Sequence, residues 1–455
     1  MIHQYKLNGY NIVMDANSGS VHSVDEVAYD IIEMYETASK DEISRVILER
    51  YPEISQADID ETFADIEELK KEGLLFSIDP FEEMADEIKV KQSVLKAICL
   101  HVAHGCNMDC EYCFAGKGEY SGKSGIMSLE VGKAALVYLV RESGSRRHLE
   151  VDFFGGEPLL NWDVCKELVA YGRELEKKHD KIFNFTLTTN GVLIDDDVID
   201  FTNKEMGNVV LSLDGRQVTH DRMRKNKTGD GTYDKIVDKF RRLVDARGTK
   251  EYYMRGTYTA YNKDFAADII HMADMGFKET SMEPVVSDPT VPYALHEEDI
   301  PQLYEEYEKL ALEMLERRKR GEGFNFYHYT VDLTGGPCIY KRVAGCGVGT
   351  EYLAVTPTGD LYPCHQFVGD DNMKVGTIYD GITEDHVLDI FRKGNNMYTR
   401  DKCKGCWAKL YCAGGCAANN YHSNGDINKV YNFGCELHKK RIECAVMLEV
   451  ASQEL

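Results

Sequence analysis

A chain of 455 residues, 43% hydrophobic and 29% charged, is too long for one ordinary core and carries enough apolar material for two to four domains. Its formal net charge of −24 argues against a nucleic-acid partner and is compatible with a basic peptide or with simple solubility. No run of about 18 apolar residues marks a membrane span, and MIHQYKLNGYN lacks the basic-then-apolar order of an export signal, so a cytoplasmic location is expected.

Residues 1–85 read as a separate unit. Short strand-like runs are broken at Asn8-Gly9 and Asn17-Ser18-Gly19, both hairpin signals. Ser23 with Glu26 and Ser39 with Glu42 have capping-box spacing, and Ser55 with Asp58 is a weaker start signal. Ile59, Phe63, Ile66 and Leu69 share the face of a third helix that ends at Gly73, and Leu74-Leu75-Phe76 suggests a returning strand. The outline is a winged helix-turn-helix. Six Lys/Arg against twenty Asp/Glu in this unit repel phosphate, so strand addition by a peptide is the better use of such a fold.

From about 95 to 285 six β-like runs alternate with helical segments: 94–102, 149–154, 183–189, 208–213, 251–259 and 280–285. Alternation of this kind predicts βα units and a parallel sheet, with chemistry collected at the C-terminal strand ends. Unusual sequences stand at several of those ends: CNMDCEYC, GGEP, TNG and LDG. A charged helix near EEYEKLALEMLERRKR then bridges to a cysteine-dense, glycine-rich tail that reads as stapled by metal rather than by an apolar core.

Ten of the fourteen cysteines fall in two clusters. Clustered thiols in a chain without an export signal point to metal rather than to disulfides. Cys106, Cys110 and Cys113 offer three ligands where a closed zinc site wants four, so either a remote residue such as His104 completes a zinc tetrahedron or a larger iron–sulfur group leaves a position open. In the tail, Cys346 and Cys364 precede Cys403-x2-Cys406-x5-Cys412-x3-Cys416 and a final Cys435. Seven thiols are one short of two tetrahedral zincs unless His365 or another group helps. Cys99, Cys165 and Cys444 read as small buried hydrophobes, and His101 and His104 as packing or hydrogen-bonding groups.

Cys106, Cys110 and Cys113, with Tyr112 before the last, resemble the CxxxCxΦC motif of the radical SAM superfamily, and the other strand ends fit the same pattern. The resemblance implies an α/β fold: a partial (β/α)6 radical SAM barrel (86–310), an N-terminal winged-helix RiPP recognition element (1–85), a bridge (311–345) and a C-terminal SPASM iron–sulfur domain (346–455). It also implies a [4Fe–4S] cluster on Cys106, Cys110 and Cys113 that carries S-adenosylmethionine (SAM) on its open iron. Tyr112, Gly155, Gly156, Glu157, Ser212 and Arg255 would contact SAM, the GGE segment through its amino group, while Asp214 and Arg224 would serve catalysis.

By the same resemblance Cys403, Cys406, Cys412 and Cys435 would close auxiliary cluster II, and Cys346, Cys364 and Cys416 would hold auxiliary cluster I. With no cysteine between 346 and 364, either Cys338 is recruited or one iron stays open to a substrate thiolate; the open iron is the preferred reading. Three [4Fe–4S] clusters and SAM are thus expected.

The whole length resembles maturases of SCIFF peptides. These install thioether crosslinks from Cys sulfur to a carbon of another residue, commonly Thr, in a ribosomal precursor peptide. The implied partners are that precursor, its leader bound beside the third strand of residues 1–85, and a reductant such as flavodoxin or ferredoxin, with neither nucleic acid nor membrane. Sulfatase maturation, C–C crosslinking or epimerisation, and a non-catalytic zinc-stapled peptide adaptor remain as rival readings.

Overall fold

The computed structural model describes residues 1–85, 94–122, 124–333, 342–343 and 345–454. Cys338 lies outside them, as do parts of the expected bridge.

The N-terminal unit begins with a hairpin of β1 (Ile2–Leu7) and β2 (Tyr10–Asp15), extended by β3 (Val21–Val24) into a three-stranded antiparallel sheet. Asn8 (φ 50°) and Gly9 (φ 89°) form a two-residue turn in which both central positions are left-handed, the geometry that matches strand twist. Three helices follow, Glu26–Met34, Lys40–Arg50 and Gln56–Lys71, and close a separate core around Val13, Ile31, Ile47, Ile59 and Phe63.

Ser39 and Ser55 both form full capping boxes, the second with Asp58 in the reciprocal role. The first helix is capped instead by Asp25, whose carboxylate accepts from Ala28 N at 2.7 Å, and Ser23 stays in β3. The returning strand expected at 74–76 does not form. Gly73 (φ 73°) ends the third helix in a Schellman motif, with Leu74 N bonded to Leu69 O and Gly73 N to Lys70 O. Leu75 then plugs the core, and Ser77 is tied to the end of β2 by the Asp15 carboxylate and the Asn17 amide. Side chains satisfy this segment where a ladder was expected.

The second layer is a twelve-stranded sheet. Its parallel centre runs β4 (Ala97–His104), β6 (His148–Gly155), β7 (Ile182–Thr189), β8 (Asn208–Ser212), β9 (Glu251–Tyr258) and β10 (Glu279–Pro284), matching the six runs read from the sequence. The two-residue β5 (Gly125–Ile126) pairs with β4, and β11 (Asn325–Phe326) extends the far edge. The helix Ile300–Lys319 runs across the expected boundary at 310 and buries Leu303, Tyr307, Leu310 and Met314 against the core.

The cysteine-dense tail departs from its expected character. Its β12 (Tyr352–Val355) adds parallel to β4, and β13 (Asp360–Tyr362), β14 (Gly376–Thr377) and β15 (Gly381–Ile382) continue the same sheet antiparallel. Leu353, Val355, Leu361, Phe367 and Phe391 join one hydrophobic core with the barrel. The apolar material is there but scattered among short turns, so no period betrays it. Cys99, Cys165 and Cys444 are buried in this core, as expected. Among the described residues no helix is long and apolar enough to cross a membrane.

Candidate functional site

The cysteine loop leaves the C-terminal end of β4 and is held from outside by backbone bonds to the segment after β8. Asp109 N donates to Lys225 O at 2.7 Å and Glu111 N to Met223 O at 3.0 Å. The loop so fixed brings Cys106, Cys110 and Cys113 within electrostatic reach of one another. Burial, opposed in part by donors and by Arg224, pushes the Cys106 thiol up to about 11 and Cys110 up to about 12. Such thiols release protons only to a strong Lewis acid. Asn190, from the turn after β7, donates to Cys106 Sγ at 3.6 Å and to Asn107 Oδ1 at 2.7 Å, so the TNG turn secures the loop.

The two glycines of GGE have a packing reason. A Cβ on Gly155 would lie 2.2 Å from Ala103 O, and one on Gly156 would lie 2.1 Å from Gly105 O. Backbone of β6 passes this close to the start of the cysteine loop because neither has a side chain. Neither contact can relax by a rotamer change. Gly156→Ala is therefore expected to cost at least the ~1–3 kcal/mol typical of overpacking. It should also strip the first thiol group of iron, read by thermal unfolding and iron per chain after anaerobic reconstitution.

Glu157 is wholly buried, and its carboxylate accepts from Thr189 Oγ1 (2.8 Å), Asn190 N (2.8 Å) and Leu159 N (3.0 Å). The sequence reading gave this carboxylate to an ammonium. In the structure it ties the ends of β6 and β7 together, and burial raises its pKa to about 7 against those donors.

Asp214 and Arg224, expected at the catalytic centre, meet in one buried ion pair. Asp214 is fully buried, and both its oxygens are engaged: Thr257 N donates to Oδ1 at 2.9 Å, while the Tyr112 hydroxyl (2.6 Å) and Arg224 Nε (3.0 Å) donate to Oδ2. Tyr112 stands one residue before Cys113, so this knot anchors the cysteine loop to β8 and β9. Three donors on one buried carboxylate hold it rigidly in place. Both residues position the loop.

His220 sits behind the knot. Its ring shares hydrogen bonds with Asp214 N at 3.4 Å and Thr232 Oγ1 at 3.0 Å. Burial, reinforced by Arg224, pulls its pKa down to about 3. Below about pH 6.5 the unfolded chain takes up this proton and the folded chain does not, so stability should fall with pH by about 1.4 kcal/mol per unit for this group. Thermal unfolding at pH 7.0 and 5.5 measures it, and His220→Asn should flatten the slope.

Ser212 and Arg255 are register neighbours on β8 and β9, and Ser281 of β10 lies beside Arg255. Arg255 acts electrostatically on Glu283, His328 and His365. Glu283, at the end of β10, takes both Arg441 Nη1 and Nη2 at 3.1 Å, with His328 Nε2 at 3.3 Å. Burial raises the Glu283 pKa, but His328, Arg441 and Arg255 outweigh it and hold the carboxyl down to about 2. This charged cluster was not legible in TSMEPV. Its partners come from residues 328 and 441, and no local spacing links them.

The tail cysteines gather in two sets. Cys346, Cys364 and Cys416 act on one another, as do Cys403, Cys406, Cys412 and Cys435. Burial and neighbouring thiols drive Cys364 and Cys412 up to about 12. Glu283 also acts on Cys416, so the three-thiol set adjoins this charged cluster. The Phe114 ring, next to Cys113, and the Phe154 ring lie 5.8 and 5.1 Å from the His365 ring, bridging the first set to this one.

His365 shares its Nδ1 with the Tyr352 hydroxyl at 3.0 Å, and His104 is buried with its Nε2 on His101 Nδ1 at 3.1 Å. Each of the two imidazoles considered as completing ligands thus has one ring nitrogen in a hydrogen bond. Among the described residues no three His, Cys, Asp or Glu side chains converge on a single ion position. All three donor sets are sulfur alone, the chemistry of iron–sulfur clusters.

A barrel with a three-thiol loop at its first strand end, continued by a cysteine-rich extension, defines a radical enzyme of the SAM-dependent kind. Residues 100–274 match the model of the radical SAM superfamily and residues 346–407 that of SPASM, an iron–sulfur cluster-binding domain. The chain carries a radical SAM domain and a SPASM domain, which imply [4Fe–4S] clusters and SAM. It is 26% identical over 369 residues to the cysteine-type anaerobic sulfatase-maturating enzyme of Clostridium perfringens (strain 13 / Type A), covering 75% of this chain and 93% of that one. The structure of native anSMEcpe with bound AdoMet and Kp18Cys peptide superposes with a TM-score of 0.64 at 23% identity, over 79% of this chain and 99% of that chain. Streptococcus suis SuiB bound to precursor peptide SuiA gives a TM-score of 0.53 at 16% identity, over 94% and 97%.

Proposed function

We propose that this chain is a peptide thioether synthase, joining a Cys sulfur to a carbon of an acceptor residue, Thr foremost, in a Cys-rich ribosomal precursor peptide. The carrying observation is the three-thiol set of Cys346, Cys364 and Cys416 beside the charged cluster at the barrel mouth. Cys338, the candidate fourth thiol, lies outside the described residues. A cluster held by three thiols keeps one iron for a substrate thiolate, and a metal-bound thiol is deprotonated outright. The Cys106, Cys110 and Cys113 set would hold a [4Fe–4S] cluster whose open iron binds SAM and, on reduction, supplies a 5′-deoxyadenosyl radical. Cys403, Cys406, Cys412 and Cys435 would hold a third, fully ligated cluster.

The protein's own part is alignment. Tyr112, Asp214 and Arg224 fix the first set, Glu157 and Asn190 brace it, and Ser212 and Arg255 stand at the strand ends where SAM would lie. Arg255, Glu283, His328 and Arg441 form a charged cluster past which the peptide would reach the second set. Holding carbon and sulfur at near-attack distance is the main catalytic contribution available to such a scaffold.

Residues 1–85 are proposed to bind the leader. They are docked on the four-thiol segment: the His3 ring stacks on Trp407 at 3.7 Å, and Lys409 Nζ meets the Asp79 carboxylate at 2.6 Å. SuiB, whose solved structure holds a precursor peptide, matches 94% of the chain, against 79% for anSMEcpe, which supports a peptide-maturase reading. An external reductant such as flavodoxin or ferredoxin would supply the electron.

The test is anaerobic incubation with reductant, SAM and a precursor peptide carrying leader and Cys-rich core. Each crosslink should remove two hydrogens and one alkylatable thiol, and metal analysis should give about twelve irons per chain. Deoxyadenosine release with no change in peptide mass would overturn the synthase reading. The 26% identity to a sulfatase-maturating enzyme supports a second reading, oxidation of a single Cys or Ser side chain. Fragment spectra separate the two, since only a crosslink joins two residues.

A further inference from the structure

Arg400 is 1% exposed and ranks among the largest fully buried side chains of the protein. Its guanidinium donates to Gly414 O at 2.9 Å (Nη1), Ile427 O at 3.1 Å (Nε) and Asn395 Oδ1 at 2.8 Å (Nη2). All three acceptors are neutral, and among the described residues no carboxylate lies within ion-pair distance. A buried cation without a counter-charge is costly. The groups whose ionised forms would act on it are, in order, Cys403, Cys412, Cys416 and only then Asp426. Cys403 and Cys412 belong to the four-thiol set, and Cys416 to the three-thiol set.

The backbone is shaped around this charge. Gly414 (φ 81°) lies between Cys412 and Cys416, and a Cβ there would stand 2.1 Å from Arg400 Nη1. The loop joining the two thiol sets is thus folded onto the guanidinium. Three of the five N–H groups go to neutral oxygens, which leaves the net charge uncompensated. An anion must compensate it, and thiolate-bound clusters on either side are the anions the fold provides for.

We propose that Arg400 is the shared counter-cation of the two SPASM thiol sets, a positioning residue that raises the reduction potential of both auxiliary clusters at once. This rests on the thiol grouping of the proposed function and is independent of which bond the enzyme forms in its peptide. Cluster potential follows net local charge and burial, and one fixed positive charge between two clusters stabilises the reduced, more negative form of each.

Redox titration followed by electron paramagnetic resonance on the reconstituted full-length chain tests it, with Arg400→Met and Arg400→Lys. In the Met variant, with iron retained, the one-electron reduction equilibrium of both auxiliary clusters should fall about tenfold, a shift of 59 mV, while the cluster on Cys106, Cys110 and Cys113 stays unmoved. The Lys variant, which keeps charge but not the three-acceptor geometry, should remain within about threefold of wild type. Met potentials unchanged, a shift in only one cluster, or a Lys shift as large as that of Met would each overturn the proposal. Should the Met variant load no auxiliary iron, the Lys variant decides: wild-type potentials support a charge role, and failure to load overturns it. A wild-type chain showing only one auxiliary cluster would remove the grouping itself, an outcome separate from failure of the variants.

Discussion

Replacing Asp214 by alanine is expected to destabilise the folded chain by about 3–5 kcal/mol, the usual effect of leaving one half of a buried ion pair alone. Three donors lose their acceptor together: Arg224 Nε, the Tyr112 hydroxyl and Thr257 N. Because Tyr112 precedes Cys113, the loss should reach the cysteine loop as well. Iron bound at the first thiol set should fall in proportion to the loss of deoxyadenosine formation. A catalytic carboxylate would behave differently, cutting the rate per loaded cluster while iron stayed in place. Asp214→Asn combined with Arg224→Leu removes both charges and should recover part of the stability lost by Asp214→Ala. Denaturant unfolding, iron analysis and single-turnover deoxyadenosine yield together separate the two roles.

The second expected result is a division of labour between thiol sets. Cys113→Ala should abolish SAM cleavage, because a set reduced to Cys106 and Cys110 cannot hold a cluster by three vertices. Cys416→Ala should leave deoxyadenosine formation intact and eliminate crosslinked peptide, uncoupling the radical from the product. Liquid chromatography of deoxyadenosine and mass spectrometry of the peptide read the two outputs from one reaction. Wild-type crosslinking in Cys416→Ala would exclude the three-thiol set as the holder of substrate sulfur. The same variant would then favour a direct reaction at the first cluster.

Much of this was legible in the linear chain because its signals are local. The six parallel strands follow from alternation, Ser39 and Ser55 from cap spacing, and the left-handed Gly73 from its place after an apolar face. Cysteine spacing within ten residues likewise confines three thiols to one loop whatever surrounds it. The Asp25 cap escaped because Ser23 offered the same chemistry two positions earlier, and only strand pairing in β3 withholds it. The strand expected at 74–76 failed for a related reason, since Asp15 and Asn17, some sixty residues away, satisfy the segment first.

The residue types, their spacing and the order of βα units pointed to the class of chemistry, and the resemblance they carry implied the three sets of sulfur donors. Folding alone settled what each polar residue near those sets does. Asp214 gained Thr257, Tyr112 and Arg224 as partners only in the folded chain, and Glu283 and Arg400 acquired their electrostatic surroundings from partners up to 158 residues distant. A carboxylate or guanidinium has no fixed function until burial and its neighbours set the cost of its charge, and neither quantity is written in local sequence.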